Sequence, residues 1–157
     1  MAGDAERVHA TCVAIGPHGV LIRGPSGAGK SDLALRLMCL VLPSESPVRL
    51  PGPVRLVADD QVILVARDGA VTASPPDTIR DRIEVRGVGI VPVAGLAAAR
   101  LALVVDLVRP DEVPRLPDFD LEVEVCGVRV PRLFLNSGEP SAPLKVLLAL
   151  TVIARSG

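Results

Sequence analysis

The sequence predicts a mixed α/β domain, a sheet of aliphatic strands carrying few helices, and three observations predict it. Apolar residues make up 49% of the 157-residue chain, yet there are two Phe and no Trp or Tyr, so Leu, Val, Ile and Ala must build the core. Cores of that kind suit parallel strands covered by helices, whose strands read as continuous aliphatic runs. The apolar residues also fall in short runs separated by Gly, Pro and Asp-Gly turn signals, a spacing of strands more than of long helices. Finally, an apolar run, a glycine-rich loop and a helical pattern follow one another directly over residues 20–42. The length suits one domain spanning residues 1–157, with the polar residues 1–6 expected to be loose.

The elements follow in order. Residues 8–15 read as one strand, and Gly16-Pro17-His18-Gly19 as a turn. A short strand over 20–23 enters the glycine-rich loop. The helical pattern over 30–42 has apolar residues on almost every side, which predicts a buried helix rather than an amphipathic one. Four prolines make 43–53 a loop. Strands are expected at 54–58 and 62–66, on either side of Asp59-Asp60, with turn signals at Asp68-Gly69 and Ser74-Pro75-Pro76. Residues 83–93 read as mostly extended, 94–100 as a short helix and 101–107 as a strong strand. Pro110, Pro114 and Pro117 mark a loop. Residues 121–125 and 128–135 form a hairpin pattern around Cys126-Gly127, and 144–154 closes as a helix.

Composition removes several classes of function. The formal net charge of −1 provides no basic footprint for nucleic acid, and the aromatic platforms that stack on single strands are missing. Cys12, Cys39 and Cys126 are scattered without a CxxC pair, which reads as buried small hydrophobes rather than a metal site. Residues 1–7 lack the apolar core of a signal peptide, and no apolar run approaches the about 18 residues that span a bilayer. A cytoplasmic protein with neither membrane nor nucleic-acid partners is expected.

Gly24-Pro25-Ser26-Gly27-Ala28-Gly29-Lys30-Ser31 matches GxxxxGK[ST] at every fixed position, in a strand–loop–helix context. Such a loop turns successive backbone N–H groups inward as an anion-binding nest, and the helix start adds its positive dipole end. All eight residues are therefore predicted to cradle the phosphates of ATP, with Lys30 on the β- and γ-phosphates and the Ser31 hydroxyl on Mg²⁺. A carboxylate at a nearby strand end is needed for the metal. Asp106, closing an aliphatic strand, has the generic pattern. Asp59-Asp60 is the more unusual feature, and such a pair offers one carboxylate to a metal and one to an incoming hydroxyl.

Four features in order resemble the catalytic domain of the HPr kinase/phosphorylase family: His9 upstream of the loop, GPSGAGKS, RLVADD at residues 55–60, and IEVRGVGIV at residues 83–91. The resemblance spans about residues 8–108. It implies a P-loop kinase domain of the HPr kinase type, with a mixed sheet and a few helices. It also implies an ATP- and Mg²⁺-dependent protein-serine kinase whose acceptor is HPr, the phosphocarrier of the sugar phosphotransferase system. The same family reverses the transfer with phosphate. On this resemblance Asp59 is the general base on the acceptor serine, while Asp60 and Glu84 belong with Ser31 to the metal surroundings. Arg86 acts near the phosphates, and His9 is catalytic beside Asp59. The chain looks like the short, catalytic-domain-only form, and the family makes a homo-oligomer an expectation.

Two departures stand out. Pro25 replaces an acidic residue usual at the second loop position. The stretch Asn136-Ser137-Gly138-Glu139-Pro140-Ser141-Ala142-Pro143 lacks the arginine the family carries there, with Lys145 the nearest substitute. That loss leaves a second reading open, a nucleotide- or phosphate-sensing regulatory module with little transferase activity. A third, a small-metabolite kinase, leaves IEVRGVGIV without a task.

Overall fold

The computed structural model describes residues 3–117 and 121–156. Eleven strands and two α-helices appear among these residues. The axis of the molecule is β9 (Ala99–Leu107), buried along most of its length. Its residues are Leu, Val and Ala for the most part, as a strand covered on both faces requires. On one edge β3 (His18–Arg23) runs parallel to it, from Gly19 opposite Leu101 to Arg23 opposite Asp106. Two strands share the other edge. β6 (Ala70–Ser74) pairs antiparallel with its start, and β11 (Val128–Leu135) runs parallel beside its end. Outward from β3 lie β2 (Thr11–Ile15) and β4 (Val54–Ala58), both in antiparallel ladders. Outward from β6 lie β5 (Gln61–Arg67) and then β1 (Glu6–His9). β10 (Glu122–Val125) is the hairpin partner of β11, while β7 (Arg82–Val85) and β8 (Gly89–Pro92) form a separate two-stranded sheet.

The two faces of the central strands carry separate cores. On one, Val13, Ile15, Val20, Ile22, Leu103 and Val105 pack against Leu33, Ala34 and Leu37 of α1 (Lys30–Met38) and Val146, Leu147 and Leu150 of α2 (Ala142–Ser156). On the other, Cys12, Ala14, Leu21 and Val104 meet Val62, Leu64, Val71 and Ala73 from β5 and β6, with Val125 and Val130 from the hairpin. Helices cover one face and the curled sheet covers the other. Each fully buried Leu, Ile or Val contributes roughly 1.5–3 kcal/mol relative to exposure, so an aliphatic core suffices without aromatic volume.

Several expectations change. The single strand over 8–15 is two strands, because the chain changes partners at Ala10. Glu6, expected to be loose with the residues before it, opens β1 opposite Leu64. α1 stops at Met38, where the Cys39 N–H still reaches the Leu35 carbonyl and Leu40 tightens onto Leu37. The helix buries one face (Leu33, Ala34, Leu37) instead of lying buried all round, and Val41 beyond its end is exposed. The alanine-rich segment 94–100 is no helix. The Ala94 carbonyl accepts the Leu56 N–H, Leu96 N–H donates to the Leu56 carbonyl, and Ala99 already pairs with Ala73. Satisfying the β4 edge and filling the axis outweigh intrinsic helix propensity, a weak prior of tenths of a kcal/mol per residue. Residues 70–74, between two turn signals, turn out to be a strand. Of the cysteines only Cys12 is buried, which pushes its thiol up to about 12; Cys126 is partly covered and Cys39 exposed.

Candidate active site

The phosphate loop leaves the end of β3 and enters α1 through Gly29, whose φ of 95° lies in the left-handed region. A side chain there would be strained, and an added Cβ would stand 2.5 Å from Ser137 Oγ. The Ala28 N–H closes a turn onto the Pro25 carbonyl. Lys30, almost fully buried, folds back along the loop and donates from Nζ to the carbonyls of Gly24 (2.8 Å) and Pro25 (3.1 Å).

Opposite the loop, two ribbons turn the same corner. β1–β2 and β4–β5 are antiparallel on both sides of it, with His9 opposite Gln61 and Cys12 opposite Ala58. Between these pairs stand Asp59 and Asp60. Asp60 takes a left-handed φ of 68°, uncommon for a residue with a side chain though tolerated best by Asp and Asn, while the Ala10 N–H donates to its carbonyl. The turn sends the two carboxylates to different places. Asp59 is 7% exposed and points inward. Its Oδ1 accepts from the hydroxyls of Ser31 (2.6 Å) and Thr11 (3.0 Å), and its Oδ2 from the Glu84 N–H (3.0 Å). Asp60 keeps 64% of its side chain exposed and pairs with His9 Nδ1 at 3.1 Å.

The β7–β8 hairpin closes the third side. Its turn needs Gly87, with φ 84°, and a Val88 N–H to Val85 carbonyl bond of 3.0 Å, which carries Arg86 to the tip. The resulting cleft of about 680 Å³ is lined by the phosphate loop, both aspartates, His9, Glu84 and Arg86. That size lies within the common range for small-molecule sites, ~300–1,000 Å³. Among the predicted site residues, His9, Ser26, Gly27, Gly29, Lys30, Ser31, Asp59, Asp60, Glu84 and Arg86 meet there. Gly24, Pro25 and Ala28 belong to the loop but do not line the cleft. Among the described residues the Arg86 guanidinium and the Glu84 carboxylate have no polar partner.

The hydroxyl of Ser31 beside the carboxylate of Asp59 is a donor set of hard oxygens, which fits Mg²⁺. Among the described residues no group of three or more His, Cys, Asp or Glu side chains converges as a metal cage. Mg²⁺ commonly uses one or two protein oxygens, completing its shell with phosphate and water.

One candidate acid, Asp106, and one candidate cation, Lys145, fall elsewhere. Asp106 lies outside the cleft, at the end of β9, where Arg23 donates to it at 2.8 and 2.9 Å and Arg132 at 2.5 Å. Burial alone would raise its carboxyl, but the hydrogen bonds and charges of Arg23 and then Arg132 outweigh that and hold it below the usual carboxylate range. Arg23 is raised in turn, chiefly by its hydrogen bond to Asp106. The generic strand-end acid is thus part of a structural ion triad. Lys145 is paired with Glu139 and does not line the cleft, so it does not stand in for the loop arginine. Thr11 and Ser137 carried no sequence signal. Both are ordinary hydroxyl residues whose roles arise from strands and loops distant in the chain.

Comparison with known proteins shows the family of the chain. Residues 2–141 match the family model of the HPr Serine kinase C-terminal domain. The chain is 37% identical over 142 residues to HPr kinase/phosphorylase from Streptococcus thermophilus, covering 82% of this chain and 42% of that protein. The Streptococcus equinus protein of the same name is 35% identical over the same shares. The chain therefore spans less than half the length of these curated relatives. The solved structure of the Hpr(Ser) kinase/phosphatase from Coxiella burnetii superposes with a TM-score of 0.72 at 25% identity, over 96% of this chain and 90% of that one.

Proposed function

Because the chain belongs to the family of HPr serine kinase C-terminal domains, we propose that it transfers the γ-phosphoryl group of ATP to a serine of an HPr-like phosphocarrier. The observation that carries this reading is the convergence of Lys30, Ser31 and Asp59 with His9, Asp60 and Arg86 in one cleft. A triphosphate lies along the loop, with Lys30 released from its carbonyl partners onto the β- and γ-phosphates. Ser31 and Asp59 would hold Mg²⁺, which would supply charge neutralisation for the phosphates. Arg86 at the hairpin tip, with no polar partner among the described residues, meets the charge that develops on the transferred group. Glu84 adds a carboxylate to the metal side.

The geometry favours a different division of labour in the acidic pair than the family resemblance suggested. Asp59 has both oxygens engaged and only 7% exposure, which leaves it less open than Asp60 to an acceptor hydroxyl. Asp60 faces the cleft mouth with His9 beside it, and a base must first be within reach of its proton. In this reading the serine oxygen forms a bond to the γ-phosphorus as the bond to ADP breaks. The serine proton passes to the Asp60 carboxylate, with His9 orienting that carboxylate. In the phosphate-driven direction an oxygen of inorganic phosphate bonds to the phosphoserine phosphorus as the bond to the serine oxygen breaks, giving pyrophosphate, and protonated Asp60 returns its proton to the serine oxygen.

The test is incubation with ATP, Mg²⁺ and the HPr of the same organism, read by mass spectrometry of the acceptor. A single phosphoserine, removed again by excess phosphate, is the expected result. Unmodified HPr in the presence of bound ATP would remove HPr as the acceptor.

A further inference from the structure

The phosphate loop is braced from behind by the segment that follows β11. Ser137 donates its hydroxyl to the Ala28 carbonyl at 2.5 Å, across a sequence separation of 109 residues. A planar trans peptide directs its C=O and the next N–H to opposite sides. The bond to Ser137 therefore turns the Gly29 N–H away from Ser137, and Gly29 lines the cleft whereas Ala28 does not. Among the described residues that N–H has no acceptor. It is the kind of group that an anion-binding nest offers to phosphate.

Ser137 is itself held in place. Arg36 of α1 donates to the carbonyls of Ser137 (2.5 Å) and Glu139 (3.3 Å). The remaining guanidinium nitrogen, Nε, stands 2.9 Å from an Asp32 oxygen, without the alignment of a hydrogen bond. Asn136 caps its own turn by accepting from the Gly138 N–H and anchors it just beyond the end of β9 by donating to the Val108 carbonyl. Glu139 is tied to Lys145 at the start of α2. The close approach of Ser137 to Gly29 also makes the two positions interdependent, since a Cβ at 29 would fall on the hydroxyl.

We propose that Ser137 is a positioning residue for phosphate binding: its hydroxyl fixes the Ala28–Gly29 peptide so that the Gly29 N–H is presented to the nucleotide's phosphates. The inference rests on the cleft being a triphosphate site. Ser137 touches neither substrate nor metal and acts through the loop backbone. Replacing the hydroxyl leaves the Ala28 carbonyl without its partner and lets the peptide rotate.

The experiment compares the parent with Ser137→Ala, Ser137→Thr and Lys30→Ala, using calorimetric affinities for MgATP and tripolyphosphate. Ser137→Ala should bind both about 5- to 50-fold more weakly, the range expected when a partly buried carbonyl loses its hydrogen bond. Ser137→Thr, which keeps the hydroxyl, should stay within about threefold of the parent on the same ground. In amide NMR spectra, the Gly29 resonance should move on adding tripolyphosphate to the parent and move much less in Ser137→Ala, while Gly27 still responds. A purely structural role would lower the melting temperature without separating those two glycines. Parent-like affinity in Ser137→Ala overturns the proposal, as does equal weakening in Ser137→Thr. If the parent and Lys30→Ala bind tripolyphosphate alike, the phosphate-site reading itself fails, and the role of Ser137 falls with it.

Discussion

Asp59 and Asp60 are neighbours in sequence but not in environment, and a left-handed turn at Asp60 separates them. The left-handed turn at Asp60 sends one carboxylate under Ser31 and Thr11 and the other to the cleft mouth beside His9. Asp60→Asn should therefore lower phosphoryl transfer about 10²- to 10⁴-fold, the usual worth of a general base, while MgATP affinity changes little. Asp59→Asn should instead weaken MgATP binding and shift its Mg²⁺ requirement upward. Steady-state kinetics with separate nucleotide titrations checks both, and the opposite pattern would restore Asp59 as the base. Asp106 shows what a strand-end aspartate does when two arginines reach it. Its depressed pKa means that its contribution to stability is present above about pH 4, the unfolded carboxylate range, and is lost as pH falls through the lower folded value. Asp106→Asn should cost about 2–3 kcal/mol at pH 7, because breaking a buried pair strands its partners and these arginines are partly solvated. Denaturant titrations at pH 7 and pH 3 should show that gap closing in acid. The position of the loop between a strand and a helix was legible, because its pattern demands fixed glycines, a lysine and a serine. The division between Asp59 and Asp60 was not, since it depends on φ and burial rather than identity. Nor was Ser137, which reaches the loop from the far end of β11 with no spacing to announce it.

At the scale of elements, each side of the cleft is supplied by a different kind of connection. A strand-to-helix loop brings Lys30 and Ser31, a ribbon corner brings the two aspartates, and a hairpin tip brings Arg86. The hairpin is the least supported of the three, since β7 and β8 pair only with each other. Isolated two-stranded pieces depend on packing for their stability, and here the buried Ile83 provides it against the helical face of the core. Gly87→Ala should cost about 1–2 kcal/mol of turn stability, the penalty for a side chain in the left-handed region. It should lower transfer more than nucleotide affinity, because Arg86 is displaced while the phosphate loop is untouched. Equal turnover in parent and variant would show that Arg86 has no part in the reaction. The strands at 54–58 and 128–135 were legible from alternation and turn residues. The segment 94–100 was misread because its alanines favour a helix locally, whereas the open edge of β4 and the start of the axis strand claim it for the sheet.

For the whole molecule, the mixed α/β class followed from aliphatic composition and short runs, but the curl that makes one sheet cover its own second face did not. That depends on pairings such as β1 with β5 and β6 with β9, which no local pattern records. The curl matters for ligand response. The cleft is lined at once by the phosphate loop with α1, the ribbon corner and the separate hairpin, so a nucleotide bound there should stabilise the domain as a unit. At a hundredfold excess over the dissociation constant, a ligand of the folded state adds about 2.7 kcal/mol. In a chain of this size that corresponds to a melting temperature roughly 5–10 °C higher. Scanning calorimetry with MgATP should show a single transition shifted upward, and Lys30→Ala should show little shift. A lower-temperature transition that stays unmoved would mean that part of the molecule melts independently of the site.

The axis strand carries one more consequence. β9 pairs with β3, β6 and β11, and with neither of the strands that flank it in sequence. None of its ladders can form by zipping up a short hairpin; each requires closure of a long loop, and topologies dominated by such closures fold slowly. The phosphate loop has Leu107, at the end of that same strand, directly behind Gly24. ATP should therefore slow unfolding of the finished domain while leaving its refolding rate almost unchanged, which stopped-flow kinetics with and without MgATP would check.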